Sequence, residues 1–587
     1  VPSISFNIAD YLNTSRKSAH EIIRDLNREE VQVAFSFHFD RDKAYRDVAP
    51  LIEKYLQIYA CRINKKLVYK KDEKFFDFLL RPYFSYIICV AYTKYLYINE
   101  RLRHVKRRED LYFPNVTCGA KRIFSRSEDF FNNIFLNPSF HEWLISIIGK
   151  EIGLKSVRGG ANLCINTFQE HPKSFFQNMK ESKVIKKPHR LYYLMKEFFH
   201  NKISEEYYPF KNIYGFGFFA ESILSLILII KTYFFKKIEN PIIGCDIRRE
   251  SVKGNVNLDP VFLKAIDKII DRTFPKSFLE NIAENMQRLR LLKKRNNSIL
   301  FNSVSYCYDE KNLRYALLRE RNCKIVYVQH GGGYATFMPY ITCSGEYIAD
   351  YFILWGSTHP PVQQCRFITL KSPLLSPLKD KHRFKTNSVI FVGHVINPLW
   401  DGILYPNPTN LRDYLLEKKV FFEVLSTEIF GKTFYKLHPA TYYKDFNEKK
   451  FMSELFPNLK YIPATKSIDK KLVEAKILVM DHYSTTFYKA MVANTPVVIY
   501  FGLPSFKFLP EAQALFKKFK QVNIVFDQAE DAAKFINANW NNIETWWSSP
   551  DVQRVRKEFC EKYAQADRLC FFKWLWALIN LKVENMA

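Results

Sequence analysis

Three constellations carry side chains suited to holding or transferring an anionic group. The first is Val479-Met480-Asp481-His482-Tyr483-Ser484-Thr485-Thr486-Phe487. An apolar run ends there, and three successive hydroxyls open a helix. Hydroxyls at a helix start cap its free N–H groups. The same N–H groups, with the helix dipole, attract phosphate. Ser484, Thr485 and Thr486, with Asp481 at the strand end, are therefore candidates for a phosphate site. Plain N-capping by Ser484 accounts for the pattern equally well. The second is Tyr435-Lys436-Leu437-His438-Pro439. Pro439 restricts His438 to extended geometry, and an imidazole at a strand end would bind a phosphoryl oxygen and stabilise a departing nucleotide. Lys436 and Pro439 complete that set. Gly393-His394, at the end of another apolar run, adds Gly393. A structural histidine is the alternative. The third is Val328-Gln329-His330-Gly331-Gly332-Gly333-Tyr334. Three glycines let the backbone approach a ligand closely. His330 would act as a base or bind the donor's carboxylate or phosphate, with Gln329, Gly331, Gly332 and Gly333 against sugar or acceptor. A flexible turn is the alternative. Asp309 and Glu310 follow a further apolar run. Either would serve as base or nucleophile, and capping of the next helix by Asp309 is an equal possibility.

These residues fall at the ends of elements that the apolar pattern predicts. Residues 51–70, 74–98 and 253–297 have helical spacing. From residue 298 the texture changes to strand, helix, strand (298–304, 309–319, 324–328). Residues 345–385 read as an irregular connector. A second series then alternates strands at 388–392, 433–437, 459–462, 477–480 and 496–500 with helices at 417–429, 468–475 and 486–493. Such alternation predicts parallel α/β sheets with ligands beyond their carboxyl ends. The expected division is an acceptor-side α/β domain with helical additions at 1–345, a connector at 346–385, a nucleotide-donor domain at 386–545 and a closing helix at 546–587.

A length of 587 residues exceeds one ordinary core, which agrees with two domains. The net charge, 88 − 60 = +28, suggests an anionic partner, unless the composition is basic for other reasons. The basic residues are spread along the chain, with no arginine arm and no aromatic RNA-reading motif, which argues against nucleic acid. Eleven cysteines without a Cys-x-x-Cys pair point to a reducing, cytoplasmic setting and away from zinc. The first thirty residues are too polar for a cleavable signal. Asp40-Arg41-Asp42 reads as a solvated turn before a helix. Residues 212–230 contain Glu221 as their one charge and are expected to form a buried core helix rather than a span. The basic charge and the aromatic C-terminal helix suggest peripheral contact with an anionic membrane at its cytoplasmic face.

The pairing of Lys436-Leu437-His438-Pro439 with Asp481-His482-Tyr483-Ser484-Thr485-Thr486, then Ala490 and Asn494-Thr495-Pro496, resembles the C-terminal half of GT-B enzymes. Bacterial sialyltransferases and Kdo transferases that use CMP-sugars have a His-Pro motif followed by a Ser/Thr pair. CDP-glycerol glycerophosphotransferases have a similar His-Pro and an Asp-Tyr-Ser-Ser. Residues 53–98, Gln329 to Tyr334, Glu346-Tyr347-Ile348-Ala349-Asp350 and Leu354-Trp355-Gly356 resemble a family of transferases from bacterial O-antigen gene clusters. That family has Gly after the Tyr, where this chain has Ala335. The resemblance implies a GT-B fold of two Rossmann-like domains facing a cleft. It also implies a cytidine nucleotide-sugar donor, such as CMP-Kdo or a CMP-nonulosonate like CMP-pseudaminic acid, and a glycan or lipid-linked glycan acceptor. A CDP-polyol phosphotransferase and a non-catalytic glycan-assembly protein are the rival readings. A CMP donor carries a single phosphate, so no metal and no separate cofactor are expected. An Asp309 nucleophile would retain configuration, and a His330 base would invert it.

Overall fold

The computed structural model describes residues 17–27, 40–104, 111–162, 215–227, 257–290, 299–394, 411–438, 446–501 and 508–580, a few short stretches inside these ranges excepted. Two parallel sheets organise them. The first has four strands in chain order: β1 (Ile299–Asn302), β2 (Lys324–Val328), β3 (Tyr351–Leu354) and β4 (Arg366–Thr369). Nearly every residue of β1, β2 and β3 is apolar, as strands covered on both faces require. The period-2 alternation sends Leu300, Ile325, Tyr327, Phe352 and Leu354 to one face. There they share a core with residues of α1 (Arg41–Asn64), α2 (Glu73–His104), α3 (Pro138–Ile152), α4 (Pro260–Thr273) and α5 (Asp309–Arg319). Ile299, Phe301, Val326, Val328, Tyr351 and Ile353 face the other way, towards Leu224 and Trp574. By length and composition α2 is apolar enough to cross a membrane, but 89% of its most apolar window is buried inside the protein.

The second sheet has six parallel strands: β5 (Val389–Val392), β6 (Thr433–Lys436), β7 (Lys460–Ile462), β8 (Ile477–Met480), β9 (Val497–Tyr500) and β10 (Val525–Phe526). Their spatial order is β7-β6-β5-β8-β9-β10. This is the 3-2-1-4-5-6 order of a doubly wound dinucleotide-type fold, with its switch point between β5 and β8. Ile390, Val392, Leu478, Met480, Val497 and Ile499 enter one core layer. Val389, Phe391, Ile477, Val479, Val498 and Tyr500 enter the other, beneath α6 (Leu411–Val424).

The chain then returns to the first domain. Helix α8 (Pro550–Tyr563) packs on the second domain, and α9 (Cys570–Asn580) covers the outer face of the first sheet. The crossing is tight. Gln565 N–H donates to Trp355 O at 2.6 Å, and a Cβ on Gly356 would lie 1.9 Å from Lys562 O. Two parallel domains with a C-terminal helix crossing back constitute the GT-B arrangement.

The structure corrects four expectations. Residues 346–385 are not an irregular connector, because β3 and β4 lie within them and complete the first sheet. The signal was there in Tyr351-Phe352-Ile353-Leu354, but Trp355-Gly356 and the prolines after it mask so short a run. The closing helix is two helices, of which the second belongs to the first domain's core. The helix Ala19–Leu26, placed by sequence in the first domain, buries Ala19, Ile22 and Leu26 in the second domain's core. Its Ala19 N–H donates to Glu454. Finally, helical residues 220–227 bury only one side: Leu224 is enclosed while Ile223 and Leu226 are exposed.

Candidate functional site

Three histidines follow three adjacent strands at one level. Val392, Lys436 and Met480 are register partners across β6-β5-β8, and His394, His438 and His482 each stand two residues beyond. His394 and His482 flank the switch point, and their rings lie 4.5 Å apart, tilted by 30°. His438 is half-buried at the end of β6. Pro439 lies outside the described residues.

A buried charge network fixes the two switch-point histidines. Asp481 Oδ1 accepts the backbone N–H of His394 at 2.9 Å and meets His482 Nδ1 at 2.8 Å. Asp481 Oδ2 accepts from Tyr414 OH at 2.9 Å and pairs with Lys418 Nζ at 3.1 Å. Lys418, on α6, is fully buried and donates further to Tyr414 OH, Tyr435 OH and Glu448 Oε1. Burial alone would raise the Asp481 pKa, but Lys418 and the hydrogen bond from His482 hold it well below the usual carboxylate range. Burial opposes charge on Lys418 too, and Asp481 and Glu448 more than offset it, raising its pKa. Asp481 is thus a positioning residue rather than a direct donor contact. Gly393 has a packing reason: a Cβ there would lie 2.2 Å from Tyr435 OH, which must reach Lys418. Lys436 is buried, and its ammonium clamps Pro463 O and Ala464 O at 2.9 and 2.8 Å, so it too stabilises a turn and does not face a ligand.

The hydroxyl turn and the glycine-rich loop meet directly. Ser484 is the N-cap of α7 (Thr485–Ala493), its hydroxyl accepting from Thr486 N–H. Thr485 Oγ1 accepts the N–H of Gly332 at 2.9 Å, and Tyr488 OH accepts that of Gly333 at 3.1 Å. A Cβ on Gly332 would lie 2.6 Å from the Tyr488 ring, and one on Gly331 2.9 Å from Thr485 Oγ1. The glycines permit this docking of one domain on the other. Gly331, Gly332 and Gly333 are therefore not sugar contacts across an open cleft, since two of their N–H groups are engaged by α7. Gln329, 1% exposed, is also structural: its amide donates to Gly331 O and accepts from Trp355 N–H, both at 2.9 Å. Thr336 O accepts Leu509 N–H at 2.8 Å, and Phe337 stacks on Phe508, which extends the domain contact. Ala335 takes φ +59°, the left-handed region that suits glycine. This explains the Gly of the resembling family at that position.

His330 follows β2 and is half-buried. Its Nδ1 lies 2.9 Å from Tyr334 OH. With Nδ1–H donating to that oxygen, Nε2 is left with the lone pair a base needs. Asp309 and Glu310 begin α5, but their side chains lie outside the described residues. Asp40 accepts Lys43 N–H at a helix start, as a solvated cap does. Among the described residues no cluster of His, Cys, Asp and Glu is placed to hold a metal ion.

The sequence matches the LIC12162 family of transferases over residues 11–576. The chain belongs to that family. No curated protein matches it. Solved structures show distant likenesses. TarM is 16% identical over 51% of this chain at a TM-score of 0.31, and the chain covers 58% of TarM. The α,α-trehalose 6-phosphate synthase from Burkholderia multivorans is 9% identical over 54% of this chain and 77% of that one, at 0.32. The UDP-forming synthase from Burkholderia xenovorans is 9% identical over 55% and 80%, at 0.29. At such scores the likenesses add nothing to the geometry above. Within this transferase, reasoning on motifs missed Lys418, Glu448, Tyr414 and the pairing of His394 with His482. One signal was available: Val392-Gly393-His394, Lys436-Leu437-His438 and Met480-Asp481-His482 repeat a histidine two residues past an apolar run.

Proposed function

We propose that this transferase is a glycosyltransferase that moves a 2-keto-3-deoxy sugar acid, Kdo or a nonulosonate such as pseudaminic acid, from a CMP donor to a surface-glycan acceptor at the cytoplasmic face of the membrane. The observation that carries the reading is the imidazole pair at the switch point, where doubly wound sheets bind nucleotides. His394, His438 and His482 are suited to a single phosphate: they donate N–H bonds to its oxygens and stabilise the CMP that departs as the bond from sugar C2 to phosphate oxygen breaks. Asp481 fixes His482 through Nδ1, which directs Nε2 away from the network. The Ser484 hydroxyl caps α7 and that of Thr485 is engaged in the domain contact, so the phosphate falls to the imidazoles rather than to the hydroxyl turn. His330 Nε2 takes the proton of the acceptor hydroxyl as its oxygen bonds to C2 on the face opposite the departing CMP, and configuration inverts.

The test is thermal shift with CMP, CDP, UDP and GDP, followed by product analysis with CMP-Kdo and CDP-glycerol. Selective stabilisation by CMP, abolished in His394→Ala and His482→Ala, supports the reading. Stabilisation by UDP alone removes cytidine, and turnover of CDP-glycerol alone replaces sugar transfer with polyol phosphate transfer.

A further inference from the structure

Two helices on the outer face of the first sheet carry large apolar side chains on their outward sides. In the helix at 220–227 the buried positions include Glu221 and Ser225, 4% and 1% exposed, while Ile223 and Leu226 face outward at 47% and 57%. In α9, Cys570, Trp574 and Leu578 face the sheet. Leu569, just before it, and Phe572, Trp576 and Ile579 form the opposite stripe, at 57, 62, 69 and 55% exposure. Spacings of three and four residues put those four on one face. Leu224 and Trp574 share one core cluster, and Phe216 packs edge-on against Trp574. The two outward faces are therefore neighbours. Apart from Phe384, they hold every large exposed apolar side chain among the described residues. A helix apolar all round belongs in an apolar surrounding, and a patch of this kind marks an interaction site.

We infer that this surface lies on an anionic lipid bilayer. Two observations choose that occupant. The chain carries a net charge of +28, so a second copy repels while an anionic surface attracts. Arg568, and Lys573 in its ion pair with Asp567, are exposed beside the apolar stripe, in the arrangement of an interfacial helix with basic residues flanking buried aromatics. The 11 described residues of α9 make about 16 Å of helix, against about 30 Å of hydrocarbon, and one side of them is held on the first sheet by Cys570, Trp574 and Leu578. The helix therefore lies in the headgroup plane with Phe572 and Trp576 inserted. Both helices cover the first sheet, so the surface sets that domain against the bilayer.

The full chain is sedimented with vesicles of phosphatidylcholine alone and of phosphatidylcholine with phosphatidylglycerol, at low and high salt. Binding to the anionic vesicles, at least tenfold weaker in a Phe572→Ser/Trp576→Ser variant, supports the inference. High salt should weaken binding without abolishing it, because the apolar part is not screened. Both side chains are exposed, so the variant should keep the parent's melting temperature and its nucleotide-induced shift, which separates failure here from failure of the transferase reading. Absence of binding to anionic vesicles at low salt overturns the inference. So does equal binding by the variant. A dimer by light scattering that the same double substitution makes monomeric reassigns the patch to self-association.

Discussion

Lys418→Met separates the stability of the buried network from its role at the site. Lys418 has no exposed side-chain surface, and its partners Asp481 and Glu448 are 1% and 14% exposed at the side chain. Methionine fills the space but leaves two carboxylates without their cation. Breaking a buried pair costs roughly 3–5 kcal/mol, a fall in melting temperature of roughly 10 °C for a domain of this size. Neutralising all three charges together, K418M/D481N/E448Q, removes the uncompensated charge and should recover the parent's stability to within about 1–2 kcal/mol. Activity should not recover. The carboxylate that accepts from His394 N–H and His482 Nδ1 is gone, and misplacing the groups proposed to hold the leaving nucleotide costs on the order of 100-fold in rate. Thermal and urea unfolding report the first quantity; the thermal shift with CMP, the proposed leaving nucleotide, and the transfer rate report the second. A single variant within about 1 kcal/mol of the parent, below the roughly 3 kcal/mol expected of a broken buried pair, would show that the network does not bear on stability. A triple variant with full transfer rate would show that Asp481 does not position the histidines.

Gly332→Ala should push the glycine-rich loop off α7. It breaks the bonds to Thr485 and Tyr488, about 1 kcal/mol each, and adds about 1–3 kcal/mol of overpacking; Tyr488→Phe should cost about 1 kcal/mol. Urea unfolding measures both, and equal stability of Gly332→Ala and the parent would contradict the docking. Ala335→Gly should stabilise by up to about 1 kcal/mol, since relief of left-handed strain exceeds the added unfolded-state entropy; a lower melting temperature would refute it. The Asp481 pKa is depressed in the folded chain, so its stabilising contribution is complete above the unfolded carboxylate value, near 3.8, and is lost as pH falls below it towards the folded value. Asp481→Asn should therefore flatten the acid limb of stability against pH, and an unchanged limb would assign acid sensitivity elsewhere.

Much of the architecture was legible locally. Strand and helix periods place α5 at Asp309–Arg319 and β2 at Lys324–Val328, and the same alternation runs from β5 to β9, because burial on both faces writes continuous apolar runs. The N-cap at Ser484 was legible for the same reason: a helix start depends on its own neighbours. The site was less so. Lys418 and Glu448 look like ordinary surface residues of helices, and only packing shows them enclosed around Asp481. The glycine-rich loop was expected across a cleft from the hydroxyl turn, and tertiary structure puts the two in hydrogen-bond contact. What the sequence determined by itself is the set of strand ends and the histidine that stands two residues past three of them in the second sheet and past β2 in the first. What only the tertiary structure decided is the order β7-β6-β5-β8-β9-β10, which places His394 against His482. Strand order depends on long-range packing of faces that look alike in sequence, whereas each strand end is set by the few residues around it.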